Sequence, residues 1–161
     1  MKGGQQGGEP GFILILDQVV DTHNLGALIR TAVCAGVQAV ILPKDRSALP
    51  TPAVSKASAG AMEHMKIVQV VNIVNTIKEL KQEGLWIAGL DSEGEKSVFD
   101  ADFTIPTALV IGGEEKGIRP LVKKHCDFLV SIPQKGPIDS LNASVAGAIV
   151  MVEVLRQRGK N

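Results

Sequence analysis

The chain has 161 residues, of which 45% are hydrophobic, 21% charged and 3% aromatic. That length suits one domain with or without a tail; the composition excludes disorder throughout and requires a core of Val, Ile, Leu and Ala. Seventeen Lys and Arg stand against seventeen Asp and Glu, so a nucleic acid or membrane partner has to be met by a local patch and not by net charge.

Met1 to Gly11 carries Gly3, Gly4, Gly7, Gly8 and Gly11 with Pro10, which reads as a flexible lead-in. Residues 12–161 then form the expected domain. Phe12–Val20, Gln38–Leu42, Lys66–Val71, Leu85–Leu90, Thr107–Ile111 and Asp127–Ile132 are short, mostly continuous apolar runs, the pattern of strands covered on both faces. Between them, helices are predicted at Asn24–Ala35, Ala53–Glu63, Ile73–Gln82, Arg119–His125 and Asn142–Arg158, with Gly36 and Gly84 as stops. Such alternation predicts an α/β fold, a parallel sheet flanked by helices on both faces, with ligands held at the carboxyl ends of the strands.

Cys34 and Cys126 are too few for a disulfide framework, and the N-terminus does not read as a secretory leader, so a reducing, cytoplasmic setting is expected. Ala143–Val152, the most apolar stretch, is far short of the ~20 residues that cross a bilayer. No membrane partner is expected. His23, His64 and His125 have no ligand spacing with each other or with the cysteines, so no metal is expected either. Cys34 reads as core filler on the apolar side of its helix.

Three strand-end loops are unusual. Asp21-Thr22-His23-Asn24-Leu25-Gly26 opens a helix carrying Arg30, which is either an ion-pair member or a clamp for phosphate or carboxylate. Gly112 and Gly117 in Gly112-Gly113-Glu114-Glu115-Lys116-Gly117 have P-loop spacing, but Ile118 and Arg119 stand where Lys and Ser or Thr would grip phosphate; alone, the loop reads as a strand-to-helix turn. In the third, Pro133 to Asn142, Ser140 or Asn142 can cap the last helix. Charge is uneven: Lys116, Arg119, Lys123, Lys124 and Lys135 suggest one basic side, with Lys44, Arg46 and Lys56 extending it.

Together these loops resemble the three motifs of the SpoU (TrmH-like) family of RNA ribose methyltransferases, within the knotted SPOUT superfamily. Asp21–Ala32 resembles motif one, Leu109–Ile118 motif two and Ile132–Ala146 motif three; Ser55–Ala61 resembles the helix between the first two in bacterial enzymes that modify guanosine of large-subunit ribosomal RNA. The resemblance implies a deep C-terminal trefoil knot, S-adenosylmethionine as methyl donor, RNA (foremost rRNA) as substrate, and a homodimer with a shared site. It also implies in-line transfer to a ribose 2′-oxygen without a metal. Motif by motif, Arg30 matches the arginine at the 2′-hydroxyl, Asn24 its supporting asparagine and Glu114 the motif-two acid. Ser140 and Asn142 match the polar pair beside the transferred methyl; Ile111, Gly112, Gly113, Gly117, Ile132, Leu141 and Asn142 match the cofactor cradle, joined by Leu90. A guanidinium holds its proton beyond pH ~12, so a clamp suits Arg30 better than a base. Many relatives carry an N-terminal RNA-binding domain, whereas here a glycine-rich lead precedes motif one. The alternatives are a tRNA ribose methyltransferase and a catalytically silent knotted RNA-binding module.

Overall fold

Continuous apolar runs leave no solvent face for a strand, so the sheet they form must be covered on both sides. The computed structural model describes residues 8–138 and 140–159. Seven strands are present: β1 (Phe12–Asp17), β2 (Ala39–Pro43), β3 (Lys66–Val70), β4 (Trp86–Leu90), β5 (Lys96–Ser97), β6 (Thr107–Gly112) and β7 (Phe128–Ser131). They lie in the order β3-β2-β1-β6-β4-β7-β5, and every neighbouring pair is parallel.

Among the described residues five α-helices cover the sheet: α1 (Thr22–Ala35), α2 (Pro52–Ala57), α3 (Ile73–Gln82), α4 (Pro120–Lys124) and α5 (Ala143–Arg158). Residues that alternate along β1 serve opposite layers, as a period of two demands. Phe12, Leu14 and Leu16 pack with Leu25, Leu28, Val150 and Met151 of α1 and α5. Ile13 and Ile15 pack with Ile73 and Ile77 of α3 and Val122 of α4.

Several expectations are corrected. The first strand stops at Asp17, not Val20, because Gln18 turns the chain with φ of 64°. The helix predicted over 53–63 is α2 followed by a 3₁₀ turn, Ala61–His64, because Ala59 and Gly60 have φ of 54° and 82° and interrupt it. β5 is an addition, two residues held by pairing with β7. Cys34 is exposed: the buried stripe of α1 runs through Leu25, Leu28, Ile29, Ala32 and Ala35, and Cys34 turns away from it beside Arg30, one helical turn back. Of the lead-in predicted over 1–11, residues 1–7 lie outside the described residues.

Candidate functional site

The carboxyl ends of β1, β4 and β6 converge, and with them the loops that follow. Asp17 closes β1 directly opposite Gly112, the last residue of β6. There the chain turns back on itself, with a bridge between Gly113 and Gly117 and a hydrogen bond from the Gly117 N–H to the Gly113 carbonyl at 3.1 Å. A Cβ on Gly112 would lie 2.0 Å from the backbone carbon of Gly117, so only glycine admits this fold-back.

The turn is fastened at three points. Gly113 packs on the Gln18 carbonyl, which a Cβ would approach to 2.5 Å. Glu114 Oε1 accepts hydrogen bonds from the Asp21 N–H at 3.3 Å and from Asn24 Nδ2 at 3.1 Å. Arg119, just past the turn, is held by Asp17. Asn24 is buried at the start of α1, where the Asp21 carboxylate caps the helix by accepting the Asn24 N–H at 2.9 Å. The first two loops, ninety residues apart in the chain, are thus bonded side chain to side chain.

The third loop closes the other side. Asn142 caps α5, its Oδ1 accepting from the Ser144 N–H at 2.9 Å and the Ser144 hydroxyl at 2.6 Å. Between the loops lies a cleft of about 370 Å³, within the size range of small-molecule sites. Leu90, Ile111, Ile132 and Leu141 give it apolar walls, Gly112, Gly113 and Gly117 expose backbone to it, and Glu114 and Ser140 add polar groups to its lining. The expected cradle residues are therefore together, except that Asn142 stands beside the lining as the cap of α5. Asn24 reaches the cleft through Glu114. Arg30 is exposed, does not line this cleft and forms no ion pair with another described residue; Asn24 is bonded to Glu114 and Asp21, not to it.

Sequence reasoning missed the charged lining. Asp91, Glu93 and Glu115 join Glu114 on the cleft wall, against Lys116 and Lys123. Lys123 Nζ sits 2.5 Å from Asp91 Oδ2. Burial pushes the Asp91 carboxyl up, but hydrogen bonds from Lys123 and the Glu93 N–H outweigh it and hold the group below the usual carboxylate value. The acidic composition of 91–102 was the available signal. The expected basic side is also reduced, because Arg119 and Lys123 are engaged by Asp17 and Asp91. Burial drives the Cys126 thiol up to about 12, with Asp127 and Asp17 adding to the rise and Lys81 and Lys123 opposing it; a thiol so raised is no nucleophile at neutral pH. Among the described residues no group of three or more His, Cys, Asp or Glu is placed to hold a metal ion, and no helix is long and apolar enough to cross a membrane.

A family model described as the SpoU rRNA Methylase family matches residues 11–152. The chain is 48% identical over 149 residues to the 23S rRNA (guanosine-2'-O-)-methyltransferase RlmB of Pseudomonas putida, covering 92% of this chain and 60% of that protein. It thus spans about 60% of the length of such relatives. In three dimensions it resembles the SpoU methyltransferase AviRb from Streptomyces viridochromogenes in complex with AdoMet, with a TM-score of 0.88 and 30% identity over 95% of this chain and 62% of that one. The A. aeolicus TrmH/SpoU tRNA modifying enzyme gives a TM-score of 0.84 and 30% identity over 92% of this chain and 76% of that one.

Proposed function

Because the chain belongs to the SpoU rRNA methylase family, we propose that it transfers a methyl group from S-adenosylmethionine to a ribose 2′-hydroxyl of RNA, a guanosine of large-subunit rRNA before any other. The observation that carries this is one cleft lined from the sequence-distant stretches 111–118 and 132–141, with the 21–26 loop bonded to its wall through Glu114. The names of relatives such as RlmB support the guanosine and the rRNA.

The cleft's chemistry fits the donor. Four carboxylates against two lysines make a lining suited to a cation, and the turn lacks the phosphate grip of a nucleoside triphosphate site. Bound S-adenosylmethionine supplies a methyl group carried on a positively charged sulfur. The chain's own contribution is placement, which can supply up to ~7–11 kcal/mol of a barrier. In this reading Leu90, Ile111, Ile132 and Leu141 exclude water from the pocket. The backbone of Gly112, Gly113 and Gly117 meets the ligand at close range. Ser140 and Asn142 flank the transfer path; Asn24 and Glu114 hold the first two loops in register; Arg30 clamps the ribose hydroxyl and its neighbouring phosphate as a fixed fork.

Two further features belong to the same reading. Arg30's absence from the lining of its own cleft supports a homodimer in which the arginine serves the partner's cleft. The outward face of α5 supports it too: Val145, Val152 and Leu155 are 48%, 56% and 46% exposed, with Phe99 at 55% alongside Val152, exposed apolar surface of the kind that meets a partner. A threaded C-terminus is supported by the clasp around the end of α5. Gln157 donates to the Ala101 carbonyl and accepts from the Phe103 N–H, and Arg158 donates to the carbonyls of Phe103 and Ile105, so the β4–β6 connection is pinned to the end of the last helix. Residues 12–161 make up the catalytic domain, and the two free cysteines suit a reducing cytoplasm.

The test is methyl transfer from radiolabelled S-adenosylmethionine to 23S rRNA and to tRNA, followed by mapping of ribose methylation. Label at one guanosine of 23S rRNA is expected. Label in tRNA alone replaces the substrate, and donor binding without transfer to either RNA leaves the silent binding module.

A further inference from the structure

Asp17 is a buried carboxylate with a partner at each oxygen and has no part in the cleft's lining. Its side chain is fully buried at the end of β1, where an unpaired carboxylate would be strongly destabilising. All of its recognised partners belong to Arg119. Oδ2 accepts the Arg119 backbone N–H at 2.9 Å, Oδ1 accepts Nε–H at 2.9 Å, and Nη2 stands 2.8 Å from Oδ1. One carboxylate therefore fixes both the backbone and the side chain of the residue that ends the glycine turn.

The position of this pair gives it a purpose. Gly117 and Ile118 line the cleft immediately before Arg119, and Gly112 pairs with Asp17 itself. The two ends of the turn are thus referenced to one buried group, while Glu114 ties its middle to α1.

We propose that Asp17 and Arg119 are positioning residues for the methyl donor, a clamp anchored on a buried carboxylate that sets the spacing of the 112–118 backbone without touching the ligand. The proposal rests on the functional reading above. A clamp of this kind acts on donor affinity: with Arg119 truncated, the turn samples wider arrangements and the donor must order it on binding. RNA affinity is not expected to follow, because the Arg119 guanidinium is already engaged by Asp17.

Arg119→Ala is the informative variant, because the arginine side chain is 42% exposed and its loss leaves the N–H bond to Asp17. Calorimetric titration with S-adenosylmethionine is expected to give a donor Kd about 10-fold higher than wild type, with KM for the donor raised alike, KM for RNA unchanged and kcat at saturating donor retained. Arg119→Lys, which keeps the charge on Asp17, is expected to recover part of the affinity. A lowered fraction of active protein with unchanged donor Kd would mean a purely structural ion pair and overturn the proposal, as would equal binding by wild type and Arg119→Ala. If the wild-type chain binds no donor, the functional reading itself fails and the clamp with it.

Discussion

At the residue scale, Arg30 is the sharpest case, since it stands exposed on α1 with no ion pair to another described residue and its assignment as a clamp rests on its place in the first motif. Arg30→Lys keeps a positive charge and loses the planar fork that grips a hydroxyl and a phosphate together. Donor binding should be unchanged, while kcat with RNA falls by about 100-fold, the scale expected when one positioned group is lost at a reacting centre. Full turnover in single-turnover assays of the lysine variant would refute the clamp. The Asp91–Lys123 pair answers to pH instead. A carboxyl held below its ordinary value stabilises the fold at pH above that value, 3.8, and the benefit is lost as pH falls through the lower folded value. Denaturant midpoints of wild type and Lys123→Met should therefore differ at pH 7, begin to close as pH falls past 3.8 and converge once it is below the lowered folded value; a gap that does not narrow in acid would show that Lys123 contributes through packing alone.

Elements were legible in proportion to their apolar pattern. β6 and α3 are where hydrophobic runs and turn signals placed them, because nothing tertiary had to override local preference. β5 was not, since Lys96–Ser97 has no pattern of its own and exists only through its pairing with β7. The break after α2 was hidden because Ala59 adopts a left-handed φ of 54° that its residue type does not announce. At the site, spacing gave a glycine turn and two candidate caps, Ser140 and Asn142, and the motif resemblance gave their place in the cleft, but the Asp17–Arg119 bond joins residues 102 positions apart and the Asp91 lining joins loops on different strands, contacts that only the folded sheet creates. Glycines divide in the same way. At Gly112 an added Cβ meets backbone at 2.0 Å, whereas at Gly147 it meets the side-chain ends of Leu28 and Ile111 at 2.5 and 2.7 Å. Backbone cannot retreat and side-chain tips can. Gly112→Ala should abolish donor binding with an intact far-UV spectrum, and Gly147→Ala should bind donor while losing about 1–3 kcal/mol of stability. Donor binding retained by Gly112→Ala would mean that the turn does not shape the cleft.

The whole molecule raises the question of where Arg30 acts, because its own cleft does not include it. A homodimer that shares its sites makes a quantitative demand. Light scattering should give about twice the 17.0 kDa chain mass, and Val152→Asp, which puts a charge into the apolar face of α5, should reduce the particle to one chain and abolish transfer. Complementation then decides the geometry. Arg30→Ala and Asn142→Ala are each inactive alone in this scheme, one lacking the clamp and the other the cleft's polar flank. Mixed and allowed to exchange subunits, half the dimers become heterodimers. If the arginine crosses the interface, each heterodimer unites one intact cleft with one intact Arg30, and the mixture recovers about a quarter of wild-type activity. If Arg30 folds back to serve its own chain, every site in the heterodimer carries one defect and the mixture stays inactive, so subunit exchange confirmed by mass spectrometry without recovered transfer would rule out the crossed arrangement.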